Sequence, residues 1–283
     1  MSNSRVARLT EDEIARFREM QRLAYAGAQE VAAGLEPGVT EREATRRLRA
    51  TLVARGVDDW FHVPFAWFGD RSAFRGFWLP HKFFATGRRL EEGMPFILDC
   101  APIRAGYVAD IGYAGCIGEN RIFEQLMTDL AAYRTFIRER VAARDTFRAI
   151  YEGVDDLIAR QGYDNRHRVY PGRVIAHQVG VVRKRGPKPV VAGFGLRSLR
   201  TLGQELILER LEGRSPLWAD GRASDHAPTP GLWAVEPHIG FRGVGVKFEE
   251  ILVVTEDDAY WLDDDLPHVR RWAAAPRATE VSR

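Results

Sequence analysis

Two pairs of acidic residues in this 283-residue sequence have the spacing to act together. Each pair is equidistant from a predicted turn: Asp99 and Asp110 about Arg104-Ala105, and Glu236 and Glu249 about Arg242-Gly243. Residues equidistant from the turn of an antiparallel hairpin lie opposite each other, with their side chains on the same face. The sequence therefore predicts two hairpins, each of which presents two carboxylates side by side.

Apolar strands surround these carboxylates, because Phe96-Ile97-Leu98 precedes Asp99 and Trp233-Ala234-Val235 precedes Glu236. Burying a carboxylate costs on the order of several kcal/mol unless a positive charge compensates it. Arginine could supply that charge, and two divalent cations would match four carboxylates. The alternative is two chance pairs at solvent-facing positions. Oxygen ligands with one or two imidazoles suit Mn, Co, Fe or Zn.

The elements that position these side chains follow an order that occurs twice. Helical spacing of apolar residues predicts helices over about 10–34, 40–55, 120–143 and 146–161. A hairpin follows each pair of helices, at 95–117 and at 232–255, and a strand through Val174–His177 precedes the second hairpin. This helix-helix-hairpin repeat predicts a pseudo-twofold α+β domain with no linker between its halves.

Two other segments have an unusual composition. Residues 57–90 are rich in aromatic side chains, which indicates core strand and loop, with a substrate-pocket wall as the alternative. Residues 183–229 form a long excursion with a predicted helix at Leu196–Leu211, and loops this long are usually lids or binding elements. We expect the excursion to cover the site or contact a partner subunit. Its predicted docking face consists of Leu196, Leu199, Leu202, Leu206 and Leu211.

Composition narrows the class of protein. A net charge of +2 argues against a dedicated nucleic-acid binder, and the run Arg183-Lys184-Arg185 is interpreted as a solvated loop. Two cysteines, Cys100 and Cys116, are too few for a disulfide framework and indicate a reducing compartment. The N-terminus has no apolar signal region, and no stretch approaches the roughly 18 apolar residues of a membrane helix. We therefore expect a cytoplasmic protein.

Five segments, in this order, resemble motifs of the pita-bread metallopeptidase family: LEPGVTERE, FILDCAPIRAGYVAD, VIAHQVG, WAVEPHIG and GVKFEEILVVT. That family includes methionine aminopeptidases, Xaa-Pro aminopeptidases, prolidases and creatinase. The resemblance spans about 10–262 and implies the pita-bread fold, built around a curved antiparallel sheet. The residues before Asp99 are too few for the additional N-terminal domain of some members. The expectation is therefore one catalytic domain over 1–283, with an insertion at about 183–229.

The resemblance also implies the residues of the site. The implied metal ligands are Asp99, Asp110, His177, Glu236 and Glu249. Asp110 and Glu249 would bridge two ions, and the family pattern selects Glu249 over its neighbour Glu250. His81 matches a substrate-contacting histidine, and Glu236 would carry a proton to the leaving nitrogen.

One family histidine is absent, because Arg183 or Lys184 lies where it would follow His177. His238 and His226 are candidates to replace it, and His238 is preferred because it shares the strand face of Glu236. The remaining histidines, His62, His167 and His268, are interpreted as ordinary surface or core residues.

The implied activity is hydrolysis of a peptide or amide C–N bond in a small substrate by an aminopeptidase or dipeptidase with two divalent ions. A non-peptidase enzyme on the same fold is the alternative, either a creatinase-like or ectoine-hydrolase-like C–N hydrolase or a lyase. A metal-free binding module is the third hypothesis. No nucleic-acid or membrane partner is expected, and a homodimer is left open.

Overall fold

The computed structural model describes residues 10–77, 79–182 and 188–275. The helices are α1 Glu11–Ala33, α2 Glu41–Ala54, α3 Arg121–Ala142, α4 Phe147–Arg160, α5 Leu196–Leu211 and α6 Pro267–Ala274. The first strands are β1 Asp59–Phe68, β2 Pro95–Arg104, β3 Tyr107–Val108, β4 Ile111–Cys116, β5 Asp164–Asn165, β6 Val174–Val179 and β7 Val190–Val191. The others are β8 Phe194–Gly195, β9 Leu217–Ala219, β10 Gly231–Val235, β11 His238–Phe241, β12 Val244–Lys247, β13 Glu250–Val254 and β14 Ala259–Trp261. The run Arg183-Lys184-Arg185 lies outside the described residues.

The predicted helices are confirmed to within about a residue at each end, because local signals set those ends. Thr10 caps α1 in a complete capping box with Glu13, and Thr40 accepts a hydrogen bond from the Glu43 amide at the start of α2. The last helix, α6, was not predicted; it starts at Pro267, a residue that suits the first helical turn.

The two halves repeat the same arrangement. In the first half, α1 and α2 pack on the strands β1, β2 and β4. In the second half, α3 and α4 pack on strands that include β9, β11 and β12. Every strand pairing among the described residues is antiparallel. An isolated bridge between Gly112 and Glu249 joins the halves. The predicted α+β class is confirmed, and the carboxylate-bearing strands lie where the halves meet.

The turn of the first hairpin lies within the predicted segment Arg104-Ala105-Gly106 but is centred just after the midpoint of Asp99 and Asp110. Arg104 pairs with Tyr107, so Ala105 and Gly106 form the turn, with φ of 52° and 86°. Positive φ at both central positions is typical of a two-residue turn whose twist suits a hairpin. The second hairpin turns at Arg242-Gly243, as predicted, again with positive φ at both residues.

The shifted turn changes which residue faces Asp99. Asp99 pairs with Gly112, while Asp110 lies between β3 and β4, closer to the tip. The predicted direct pairing of Asp99 with Asp110 is therefore wrong. Both side chains still point to the same face, because strand side chains alternate with a period of two residues.

Both arms of the second hairpin are interrupted at the acidic residues. The register pairs are His238 with Lys247 and Val235 with Glu250. Glu236 and Glu249 lie at matching positions in the break between these pairs, as the spacing predicted. Because the regular ladder stops there, their side chains can turn into the space between the halves.

The aromatic segment is mainly core. Phe65, Trp67, Phe74 and Phe77 pack together in one buried cluster, which favours the core interpretation of residues 57–90. Phe61 differs, because its ring is only partly buried and stacks on His177.

The excursion is more integrated than a simple insertion. Its β8 pairs with β1, its β9 pairs with β6, and Trp218 of β9 is completely buried against Phe147, whose ring also packs on Trp233. The predicted leucine docking face of α5 is wrong in this chain by itself: Leu199, Leu206 and Leu211 are exposed. The buried residue of α5 is Ser198, whose hydroxyl donates a hydrogen bond to the Trp60 carbonyl of β1. The helix therefore approaches β1 through this small polar side chain.

Glu41 explains why a Thr-Glu pair begins α2. Its side chain is completely buried, and both oxygens are used. One oxygen accepts from the Phe68 amide (3.0 Å) and from Arg71 Nε (2.7 Å). The other accepts from the Thr86 amide (2.8 Å) and hydroxyl (2.6 Å). One carboxylate therefore ties the helix to the end of β1 and to the loop that follows it.

We expect Glu41→Ala to lower the free energy of unfolding by about 3 kcal/mol, because it leaves buried donors and Arg71 without their partner. Urea denaturation would measure the change. Glu43→Ala is the matched control, since Glu43 lies in the same helical turn but, in the part of the chain that the structure describes, its side chain pairs only with Arg47 at the surface. The control should change stability by less than about 0.5 kcal/mol. Equal losses in both variants would contradict the role given to Glu41.

Candidate metal centre

The structure brings all five predicted ligands into one buried cluster between the halves. Ligand atoms come close enough to share a metal ion in three groups: His62, Asp99 and Asp110; Asp110, His177 and Glu249; and Asp99, Glu236 and Glu249. Within each group the atoms lie within 4.8 Å of one another. Asp99 comes from β2, Asp110 from the end of the first hairpin, His177 from β6, and the two glutamates from the breaks in the second hairpin.

His177 is held in a defined orientation. Its Nδ1 lies 3.3 Å from the Gln178 carbonyl, which can only accept a hydrogen bond, so Nδ1 carries a proton. Its Nε2 lies 3.1 Å from Asp110 Oδ2, and the ring stacks on Phe61. Burial opposes protonation of the ring, but the hydrogen bond and charge of Asp110 raise the pKa of His177.

A lysine supplies the positive charge that the buried carboxylates require. Lys247 Nζ donates to Asp99 Oδ2 (2.6 Å), Glu236 Oε2 (2.7 Å) and Glu249 Oε2 (2.8 Å). Its side chain is completely buried. Burial opposes the ammonium charge, but the three carboxylates raise the pKa of Lys247 well above its usual value. The sources of positive charge predicted from the sequence are arginine and divalent ions, and not lysine. The signal for lysine was the position of Lys247 two residues before Glu249, which gives both the same strand face.

Gly112 makes room for this lysine. A Cβ atom at Gly112 would lie 2.4 Å from Lys247 Cε, which is far too close for a real contact. The lysine side chain therefore crosses the backbone at the point where Gly112 pairs with Asp99 on one side and Glu249 on the other. A side chain at residue 112 would push the ammonium out of the cluster.

Burial and mutual repulsion act strongly on the glutamates. Burial, together with the negative charge of Asp110, raises the pKa of Glu249 well above its ordinary value. Burial also raises the pKa of Glu236, although the Lys247 charge opposes this. Asp110 behaves differently: despite burial, the charge of His62 and hydrogen bonds from His177 and His62 lower its pKa. The cluster therefore holds more negative charge than one lysine compensates.

Glu249 and Glu250 are separated by the strand they share. Glu249 faces the cluster, whereas Glu250 points to the opposite side and accepts from Arg134 Nε (2.7 Å) and Arg134 Nη2 (3.1 Å). Glu250 also lies 3.0 Å from His268 Nε2. The structure thus places Glu249 with the other predicted ligands and gives Glu250 a buried ion pair elsewhere.

The other two predicted catalytic residues lie outside the cluster. His81 is exposed in the short 3-10 helix Pro80–Phe83, and among the described residues its side chain has no hydrogen bond or ion pair. His238 is buried, but its Nε2 donates to the Ser72 carbonyl (2.7 Å), and burial lowers its pKa well below the usual value. Its connection to the cluster is indirect, through Tyr170, whose hydroxyl lies 3.5 Å from His238 Nδ1 and 3.0 Å from Lys247 Nζ.

Two histidines predicted as ordinary behave as expected, and one does not. His167 pairs with Asp155 and His268 with Glu250, both away from the cluster. His62 lies inside it, with Nε2 3.1 Å from Asp110 Oδ1. The sequence offered little to find His62, because it is surrounded by aromatic residues on a strand whose pairing brings it to the site.

The excursion forms one wall of a narrow cavity beside His177. The cavity is lined by residues that include Phe61, Val108, Val179, Ser198, Leu202 and Glu205. The last three belong to α5, so part of the predicted insertion does reach the site. Most of the exposed surface of the cavity as a whole is apolar.

An α+β fold with two matching halves around a buried cluster of carboxylates and histidines is the pita-bread fold of metallopeptidases. The family model of metallopeptidase family M24 matches residues 15–256, and the chain belongs to this family. The resemblance stated from the five motifs is thus confirmed. Comparison with curated proteins gave no match.

Solved structures show the same fold at low sequence identity. X-Pro aminopeptidase from Thermotoga maritima superposes with a TM-score of 0.67 at 18% identity, over 92% of this chain and 63% of that one. Prolidase from Pyrococcus furiosus gives 0.65 at 17% identity, over 89% and 64%. Methionine aminopeptidase from Rickettsia prowazekii gives 0.60 at 14% identity, over 90% and 98%. This chain therefore spans less than two thirds of the length of the first two proteins and nearly all of the third.

Proposed function

We propose that this protein is a two-metal hydrolase that cleaves a peptide or amide C–N bond in a small substrate, as an aminopeptidase or dipeptidase does. The observation that carries the proposal is the buried cluster itself. Four carboxylates converge with an imidazole between the halves, and one lysine does not balance their charge. Family membership and the structures named above support the reaction class.

The donor set fits divalent ions. Carboxylate oxygens with an imidazole nitrogen suit Mn, Co, Fe or Zn, and raised glutamate pKa values indicate a site that lacks positive charge. Two of the three ligand groups compete little with Lys247. The group of Asp110, His177 and Glu249 shares only Glu249 with the lysine, and the group of His62, Asp99 and Asp110 shares only Asp99. The proposed ligands are Asp99, Asp110, His177, Glu236 and Glu249.

Bound divalent ions would supply a hydroxide at neutral pH and polarise the substrate carbonyl. The residues of the chain then move and hold protons. Glu236 is the carboxylate that the motif assigns to accept a proton and return it to the leaving nitrogen. Lys247 donates to the Glu236 carboxylate and to the Tyr170 hydroxyl, and would hold that carboxylate in place.

The surroundings of His177 favour a small substrate with an apolar group. The cavity is narrow, and Phe61, Val108 and Leu202 form much of its wall. His81 remains a predicted substrate contact from the motif, and its exposed side chain is not part of the ligand cluster.

One observation favours the alternative of a non-peptidase C–N hydrolase. Neither candidate for the missing family histidine reaches the site: His238 donates to the Ser72 carbonyl, and His226 accepts from the Ser215 amide. The family's second active-site histidine would then have no replacement, while the ligand cluster is retained. Retention of all five predicted ligands argues against the metal-free binding module.

Protein freed of metal with a chelator and then refilled with Mn, Co, Fe or Zn should be assayed on Met-Ala, on Xaa-Pro dipeptides and on N-substituted amino acids. We expect metal-dependent release of a product from at least one dipeptide. Turnover of N-substituted amino acids alone would select the non-peptidase alternative. No metal uptake and no turnover of any of these would contradict the proposal.

Other features stay predictions for this protein. No helix among the described residues is long and apolar enough to cross a membrane. The homodimer, the cytoplasmic location and the absence of a nucleic-acid partner rest on the sequence, as does the single domain over 1–283. The exposed leucines of α5 are the place to look for a subunit contact, and light scattering would measure the oligomeric state.

A further inference from the structure

We propose that His62 is a ligand of one of the two metal ions and His177 a ligand of the other, and that the two ions share Asp110. This inference rests on the proposed two-metal function. It adds a nitrogen ligand to the five residues that the motifs imply.

The backbone of β1 turns His62 toward the cluster. The pairing of β1 with β2 shifts register on both sides of this residue, between Trp60 and His62 and again between His62 and Phe65. Such irregularities re-aim a side chain and are common beside active sites. On its other edge, His62 pairs with Phe194 of the excursion. The residue is therefore positioned by two neighbouring strands, and only 7% of its surface is exposed.

The His62 ring has the same arrangement as the His177 ring. Its Nδ1 lies 2.9 Å from the carbonyl of the next residue, Val63, and must carry the proton in that hydrogen bond. Its Nε2 lies 3.1 Å from Asp110 Oδ1, while His177 Nε2 lies 3.1 Å from Asp110 Oδ2. Metal-binding histidines are usually oriented in this way, with the second ring nitrogen donating to a carbonyl or carboxylate.

Aromatic stacking supports both rings similarly. His62 stacks on Phe65 at 5.1 Å between centroids and 14° between planes. His177 stacks on Phe61 at 5.1 Å and 13°. Each imidazole thus lies within hydrogen-bond distance of a different oxygen of Asp110, with its tautomer set by a carbonyl and its ring plane by a stacked phenylalanine.

Lys247 leaves the oxygens near His62 free. The lysine takes Asp99 Oδ2, whereas His62 Nε2 lies 3.4 Å from Asp99 Oδ1. The group of His62, Asp99 and Asp110 can therefore hold an ion while the ammonium stays with Asp99 Oδ2 and the two glutamates. One imidazole at each ion would favour Zn, Co or Fe over Mg.

The first test counts imidazole ligands in protein loaded with Co(II). A histidine bound to Co(II) gives a strongly shifted, solvent-exchangeable proton resonance from its Nδ1–H group. We expect two such resonances from the wild-type protein, one from His62→Phe and one from His177→Phe. Phenylalanine suits residue 62 because its neighbours in space, Phe61, Phe65 and Phe194, are aromatic.

Calorimetric titration with Co(II) gives an independent measure. His62→Phe should weaken the binding of one ion by more than about 100-fold, because losing a group that only orients a ligand costs about 10- to 100-fold. His62→Ala should also bind that ion more weakly, and added free imidazole should restore most of its affinity. Circular dichroism and thermal unfolding of each variant check that the fold is intact.

The possible results separate this inference from the proposed function. Two bound Co(II) ions with a single shifted resonance in the wild type would overturn the role of His62 alone. A loss below about 100-fold in His62→Phe, without rescue by imidazole, would also overturn it and leave His62 as a positioning residue. No uptake of Co(II) by the wild-type protein would contradict the proposed function and the inference together.

Discussion

Glu249→Gln and Glu250→Gln should have opposite effects, although the residues are adjacent. Glu249→Gln should abolish binding of at least one metal ion and lower kcat/KM on the order of 10³-fold, since ion-derived stabilisation of several kcal/mol is lost at 1.36 kcal/mol per tenfold change. The reason is that Glu249 belongs to two of the three ligand groups. Elemental analysis and steady-state kinetics would measure both effects.

The melting temperature should distinguish the two variants in the opposite sense, because Glu250→Gln should lower it and Glu249→Gln should not. Burial and the Asp110 charge raise the Glu249 pKa, which means that the folded protein disfavours the ionised carboxylate. A neutral amide removes this penalty, so metal-free Glu249→Gln should unfold at the same temperature as wild type or higher. Glu250→Gln instead weakens a buried ion pair with Arg134 and should lower the melting temperature while keeping both ions. Full metal content in Glu249→Gln, or loss of metal in Glu250→Gln, would contradict the assignment.

Lys247→Met should destabilise the metal-free protein by about 3–5 kcal/mol, the usual effect of removing one partner from buried charges. Three buried carboxylates would lose their shared ammonium. The same variant should bind divalent ions more tightly than wild type, because an internal competing cation is gone. Urea denaturation in chelator and calorimetric metal titration would measure the two effects.

Metal should reverse the instability of this variant. An ion that binds only the folded protein raises its stability according to its concentration and affinity, so saturating Zn(II) or Mn(II) should narrow the gap between Lys247→Met and wild type. Lys188→Met is the control, since Lys188 forms an exposed pair with Asp58 and should contribute at most about 1 kcal/mol. A metal-free Lys247→Met protein as stable as wild type would show that the carboxylates do not depend on this lysine.

The sequence by itself determined the local elements. Capping residues and apolar periodicity predicted the ends of α1 to α4, because those signals act within a few residues of each helix end. The turn at Arg242-Gly243 and the matching positions of Glu236 and Glu249 also followed from the sequence. In the first hairpin the turn lies within the predicted segment, but the chain turns at Ala105-Gly106, so Asp99 faces Gly112 instead of Asp110.

Only the tertiary structure decided which further residues join the carboxylates. Lys247 reaches Asp99 across 148 positions of sequence, and His62 reaches Asp110 across 48. Such contacts depend on how β1, β4 and the second hairpin meet, and on the space left by Gly112. Local sequence propensity does not determine how the two halves pack together, because burial and charge compensation arise only once the halves are assembled. A lysine or histidine acquires its role in the site from the carboxylates that folding brings to it.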